Sequence, residues 1–206
     1  MLSQRLLRAR TLGDVVGTSV LARLAIVVGY AAFIGVFAQI SIPLPFTPVP
    51  ITGQTFAVLL GGLALGPSLA IVGTLLYAAA GVAGIPWFAG AVGGPRMLTD
   101  PSFGYILGFI LAAGLVGWLG QRGWDRRPVT TVVAMVLGNA VIYAVGVFWL
   151  AVSLKVGAAK AIELGMTPFL IGDAIKVLLA TALLPGAWFA LGKLGARRDV
   201  QGSEEA

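Results

Sequence analysis

Asp173 and Lys176 stand three residues apart in FLIGDAIKVLLATA, residues 169–182, a stretch otherwise almost wholly apolar. At that spacing two side chains share one helix face. A charge held at mid-membrane costs about 2.5–3.5 kcal/mol on insertion scales. The pair is therefore expected to face protein or a cavity rather than lipid. An internal ion pair would fix helix packing. A ligand site would hold a polar group through one donor and one acceptor. A proton relay is the third reading, though Asp173 is the one acidic residue within an apolar run, which is thin for a proton-coupled carrier. Near a helix end, Lys176 would instead snorkel outward.

A second constellation lies in AGIPWFAGAVGGPRMLTDPS, residues 83–102. Its glycines let backbone approach a ligand closely. Trp87 and Phe88 supply flat apolar walls. Arg96 carries a fork of donors suited to a carboxylate, and Asp100 is near enough in sequence to neutralise it instead. Gln54 and Asn139 place amides inside or at the edge of apolar runs, where each needs a partner. Helix–helix hydrogen bonds and ligand contacts both meet that need. In the first apolar run, Ala25 with Gly29 and Ala31 with Gly35 form small-xxx-small pairs. Such spacing lets helices approach closely, within this chain or against a partner membrane protein.

The elements that must position these residues follow from composition. Of 206 residues, 58 % are hydrophobic and 11 % charged, with a mean hydropathy of +0.96. A soluble domain carries about 25 % charged residues. The chain therefore reads as one all-α, membrane-embedded domain over residues 1–206, with short tails at about 1–19 and 195–206. It has no cysteine and no histidine. Thiolate chemistry, the commonest general base and the commonest metal ligand are thereby removed, and neither a metal nor a cofactor is expected. No G-x-x-x-x-G-K-[ST] loop is present, so uphill transport would draw on another protein or an ion gradient. No enzyme is expected. The net charge of +6 is that of a basic cytoplasmic face, and no nucleic-acid partner is expected. No cleaved signal peptide is read, because Val20 to Ile40 is long enough to span.

Spanning takes about 20 apolar residues. Six spans are expected, at roughly 20–41, 51–65, 68–82, 103–119, 129–154 and 169–194. The proline-rich IPLPFTPVP (42–50) ends the first, and Gly66-Pro67 breaks the second from the third. Both of these are short for a full crossing. A weakly amphipathic piece, 155–168, precedes the last. With the N-terminus inside, ten Lys and Arg fall on inner segments: Arg5, Arg8, Arg10, Arg23, Arg122, Arg126, Arg127, Lys193, Arg197 and Arg198. Three fall on outer loops: Arg96, Lys155 and Lys160. That bias sets both termini in the cytoplasm. Trp87 outside, and Trp118 and Trp124 inside, fit interface anchoring.

The order AQISIPLPFTPVPITGQTFAVLLGGLALGP, GVAGIPWFAGAVGG, GYILGF and GDAIKVLLA resembles the BioY family. These are the biotin-specific substrate-binding components of energy-coupling-factor vitamin importers. The likeness runs from about Ala38 to Ala180. In the family's FAGGxGG, Ala91 replaces the second glycine here, and its GPTGGY reads DPSFGY, with Asp100, Ser102 and Phe103 replacing Gly, Thr and Gly. The resemblance implies six transmembrane helices with both termini inside and a pocket near the outer face, closed by the first and third outer loops. It implies biotin capture in a bacterial or archaeal cytoplasmic membrane. The implied partners are a transmembrane coupling protein and two cytoplasmic ATPases, docking against Ala31 and Gly35. For biotin, Asp173 and Lys176 would meet the neutral ureido ring, with Asn139 or Gln54 completing the polar set. Tyr105, Phe88 and Trp87 would wall the ligand. Arg96 or the glycine-loop amides would meet its carboxylate. Another small vitamin, or a self-sufficient secondary carrier, are the competing readings.

Overall fold

The computed structural model describes residues 10–16 and 19–204, with side chains through Leu194. Arg5 and Arg8 of the charge count lie outside the described residues, as do the side chains of Arg197 and Arg198. Six helices of 12 residues or more run α1 (Val20–Ala38), α2 (Gln54–Leu65), α3 (Pro67–Val82), α4 (Phe103–Gln121), α5 (Pro128–Leu154) and α6 (Leu170–Glu204). Short helices at Leu12–Val16 and Ala158–Gly165 flank the first and last of them.

Local chemistry sets the boundaries. Ser19 caps α1 by accepting from the Ala22 amide at 3.2 Å, which satisfies an otherwise orphaned donor. Gly66 turns the chain at φ 80°, a conformation that costs glycine little, and Pro67 then opens α3. Pro128 opens α5 in the same way. The proline loop is pinched shut by two short antiparallel strands, β1 (Ser41–Ile42) and β2 (Ile51–Thr52), with Ser41 opposite Thr52. This small ladder, absent from an all-helical reading, trims α1 to Ala38 and delays α2 to Gln54.

α4 is the axle of the bundle, packed against α2, α3 and α5. Its glycines permit this: a Cβ on Gly120 would sit 2.2 Å from the Leu63 carbonyl oxygen. α1 leans on α3 and α2, while α6 leans on α5 and α2. Leu21, Leu24, Val28 and Val36 of α1 and Ile171, Ile175, Leu178 and Leu183 of α6 point outward, as lipid-facing side chains do. Among the described residues, four stretches are long and apolar enough to cross a membrane: Val20–Ala38, Phe103–Gln121, Pro128–Leu154 and Ala158–Leu194. α2 and α3 have 12 and 16 residues. At 1.5 Å per residue they reach about 18 and 24 Å, short of the ~30 Å hydrocarbon core.

Candidate substrate pocket

The ends of α1, α3 and α5 and the starts of α2, α4 and α6 gather at one end of the bundle, around a cavity of about 710 Å³. That size suits a small-molecule site. The proline loop supplies Leu44, Thr47 and Val49, and the first turn of α2 supplies Gln54 and Thr55. Phe88, Gly90 and Gly93 come from the glycine loop, Arg96 and Met97 from the 3-10 turn Pro95–Thr99. Tyr105 of α4, Tyr143 of α5 and Asp173 and Lys176 of α6 complete the wall. The loops over the cavity are thus the proline loop (42–50) and the glycine loop (83–102), the first and second of the three expected outside. The third, 155–168, contributes no lining residue; it is tied to the wall residue Tyr105, whose hydroxyl donates to the Gly165 carbonyl at 2.6 Å.

Asp173 lies in the first turn of α6, where the helix dipole favours a carboxylate. Its Oδ1 accepts from Lys176 Nζ at 2.9 Å and from Thr55 Oγ1 at 3.4 Å. Its Oδ2 accepts from the Tyr143 hydroxyl. Lys176 Nζ also donates to Thr55 Oγ1 at 2.8 Å. The side chains of Lys176 and Asp173 are only 16 % and 8 % exposed, so the lysine does not snorkel outward. The two charges meet each other and also line the cavity. Chemically the arrangement offers a cationic donor and an anionic acceptor side by side with no net charge.

The other expected residues divide. Gln54 is buried, lines the cavity and donates to the Tyr77 hydroxyl at 2.7 Å. Phe88 and Tyr105 are buried wall residues. Arg96 stands exposed at the rim and makes no ion pair with Asp100 among the described residues. Asp100 Oδ1 is occupied by the Ser102 amide at 2.8 Å. Trp87 does not line the cavity. Its ring turns away to pack on Tyr77 and Gly35, and its Nε1 donates to the Tyr77 carbonyl at 2.9 Å. Asn139 does not line it either; it is buried one turn from Tyr143, with Oδ1 lacking a partner among the described residues. Ala31 and Gly35 are both buried inside this chain, so they offer no docking surface. A Cβ on Gly35 would meet Trp87 carbons at 3.1–3.2 Å; its smallness serves the glycine loop.

Sequence reasoning passed over Thr55, Tyr143 and Gln39. Tyr143 follows Asn139 at i+4, a spacing that places the two on neighbouring turns of one helix; Thr55 only adjoins Gln54 in sequence, and neighbours at i+1 do not share a helix face. Gln39 had no such signal. Its Nε2 reaches the Gly35, Trp87 and Phe88 carbonyls at 3.0, 3.1 and 3.3 Å, and two of those lie almost 50 residues away.

Residues 8–193 match the sequence profile described as the BioY family. The chain belongs to the BioY family. This BioY chain is 41 % identical over 155 residues to a Pyrococcus horikoshii protein named "Probable biotin transporter BioY", covering 75 % of this chain and 88 % of that one. It is 37 % identical over 154 residues to the Thermotoga maritima protein named "Biotin transporter BioY", with the same coverages of 75 % and 88 %. Its fold matches, at a TM-score of 0.72 and 23 % identity, a crystal structure titled as the S-component for biotin from an ECF-type ABC transporter, over 81 % of this chain and 90 % of that one. Family and apolar helices together make this BioY chain a multi-pass membrane protein. Its two departures from the family pattern take definite shapes. Ala91 sits at φ 56°, and Asp100 Oδ1 accepts from the Ser102 amide just before α4 starts at Phe103.

Proposed function

We propose that this chain captures biotin from outside a bacterial or archaeal cytoplasmic membrane and acts as the substrate-specific component of an energy-coupling-factor importer. The observation that carries the reading is the Asp173–Lys176 pair on the cavity wall. Biotin has a neutral ureido head, an apolar bicycle and a carboxylate tail. A neutral urea asks for an acceptor and a donor together, which this pair supplies without surplus charge. Phe88, Tyr105 and Phe109 give the bicycle apolar contact. Arg96 at the rim, with Asp100 engaged elsewhere, suits the carboxylate. The names carried by the relatives support the same ligand.

The chain itself is proposed to do no chemistry; a coupling protein and two ATPases would supply the energy. For docking, α1 presents Ala25, Gly29 and Ala32 at its surface. Beside them an apolar groove of about 570 Å³ runs between α1, α2 and α6. Close helix approach over small residues is how membrane helices associate.

The test is calorimetry on the purified chain in detergent. Asp173→Asn and Lys176→Ala are expected to weaken biotin binding at least 100-fold while the protein still inserts. A buried charged hydrogen bond is worth about 1.5–3 kcal/mol, and each variant also strands its partner. Unchanged affinity in both would sink the ureido assignment. Equal competition by thiamin or riboflavin would move the reading to another vitamin.

A further inference from the structure

The carboxylate of Asp173 has more than one way to sit beside Lys176. Its terminal torsion is broad, so without a further partner either oxygen is free to face the ammonium. The structure holds it otherwise. Lys176 and Thr55 are both on Oδ1, while the Tyr143 hydroxyl is on Oδ2. Tyr143 comes from a different helix, 30 residues away, and its ring lines the same cavity. Lys176 is steadied in turn by Thr55 at 2.8 Å.

Counting donors and acceptors gives the consequence. A carboxylate offers about four lone-pair positions and an ammonium three N–H groups. Three positions of Asp173 are taken by Lys176, Thr55 and Tyr143, and two N–H groups of Lys176 by Asp173 and Thr55. One acceptor position on Oδ2 and one ammonium N–H are left over. We propose that Tyr143 is a positioning residue for substrate selection: it pins Oδ2 apart from the ammonium, so that the site presents one acceptor beside one donor. That edge complements an N–H/C=O edge of a cyclic urea or lactam. It does not complement a carboxylate head, which has no N–H to give, or an ammonium head, which has no acceptor. Tyr143 acts through Asp173 rather than on the ligand. This deepens the biotin reading and rests on it for the identity of the ligand.

The experiment is Tyr143→Phe in the full chain, which keeps the ring and removes the hydroxyl. Biotin affinity by calorimetry is expected to fall about tenfold, the scale of one lost hydrogen bond. The melting temperature of the ligand-free protein is expected to stay within a few degrees. A merely structural tyrosine would lower both together, and that outcome overturns the proposal, as does unchanged affinity. A ligand-free readout separates this from the biotin reading. The carboxylate infrared band of Asp173, assigned by its loss in Asp173→Asn, is expected to shift in Tyr143→Phe. If the wild-type chain fails to bind biotin but the band shifts, the ligand assignment falls and the positioning role stands. If the band does not move, the positioning role falls. Should Tyr143→Phe not fold, 3,5-difluorotyrosine at position 143 keeps the shape and changes only the hydroxyl acidity. The band is then expected to move, and a still band overturns the proposal.

Discussion

The charged pair answers for its own presence in an apolar helix. Bringing one ion out of water costs several kcal/mol, and removing a single member of a buried pair costs about 3–5 kcal/mol. Asp173→Leu and Lys176→Met are therefore each expected to destabilise the ligand-free protein. The double variant is expected to regain most of that stability, because two apolar side chains need no partner, yet to bind no biotin. Melting in detergent and calorimetry on the same samples check both halves; a double variant no more stable than the singles would mean that the pair contributes net stability. Asp125 poses the converse case at the other end of the molecule. It is fully buried in the turn Trp124–Arg126, with Oδ2 accepting from Trp188 Nε1 at 2.6 Å and Oδ1 lacking a partner among the described residues. Burial pushes its carboxyl above the ordinary 3.8, against the opposing pull of the Trp188 hydrogen bond and the Arg126 charge. The folded state thus holds this proton more tightly than the unfolded chain. Its stabilising effect is full below pH about 3.8 and is lost as pH rises through the elevated value. Asp125→Asn is expected to remove that fall, seen as a flatter melting temperature against pH. An identical slope in the variant would show that another group titrates there.

The glycine loop is one of the two loops that cover the cavity. Phe88 and Val92 bridge across its tip, and Gly90 and Ala91 both take positive φ, at 79° and 56°. For a residue with a Cβ the left-handed conformation costs roughly 1–2 kcal/mol. Ala91→Gly is expected to raise stability of the biotin-bound form by up to about 1 kcal/mol after the extra unfolded-state entropy of glycine is set against it. The dissociation rate of biotin, measured by chase, is expected to slow. A faster rate would mean that the alanine stiffens a loop which glycine loosens. Two ties hold the loop to the end of α1: Gln39 on the Trp87 and Phe88 carbonyls, and Trp87 on Gly35. The boundaries of the loop were legible from its prolines and glycines. Its attachments were not, because they join positions far apart in the chain.

Across the whole molecule, the cavity occupies one end while the basic turn with Arg122, Arg126 and Arg127 lies at the other. Between them the groove along α1 and α6 leaves Gly29 exposed, and a Cβ there would meet nothing within 4 Å. Gly29→Leu is therefore expected to fold and to bind biotin with unchanged affinity. Reconstituted with coupling protein and ATPases, it is expected to lose at least nine-tenths of ATP-dependent uptake. Normal uptake would remove this face from the docking proposal. Gly35 makes a poor probe by comparison, since any side chain there strikes Trp87.

Composition and hydrophobic run lengths by themselves determined an apolar helical bundle, its break at Gly66-Pro67 and its loop positions, because those are local consequences of burial and backbone chemistry. GDAIK by itself determined that a donor and an acceptor share a face. Tertiary structure alone decided which helices supply Thr55 and Tyr143 to that pair, and that Asn139 and Trp87 turn away from the cavity. It also decided which small residues of α1 face inward, Ala31 and Gly35, and which face out, Ala25 and Gly29. A helix repeats its small residues all round, and only the neighbours packed against it choose the buried side.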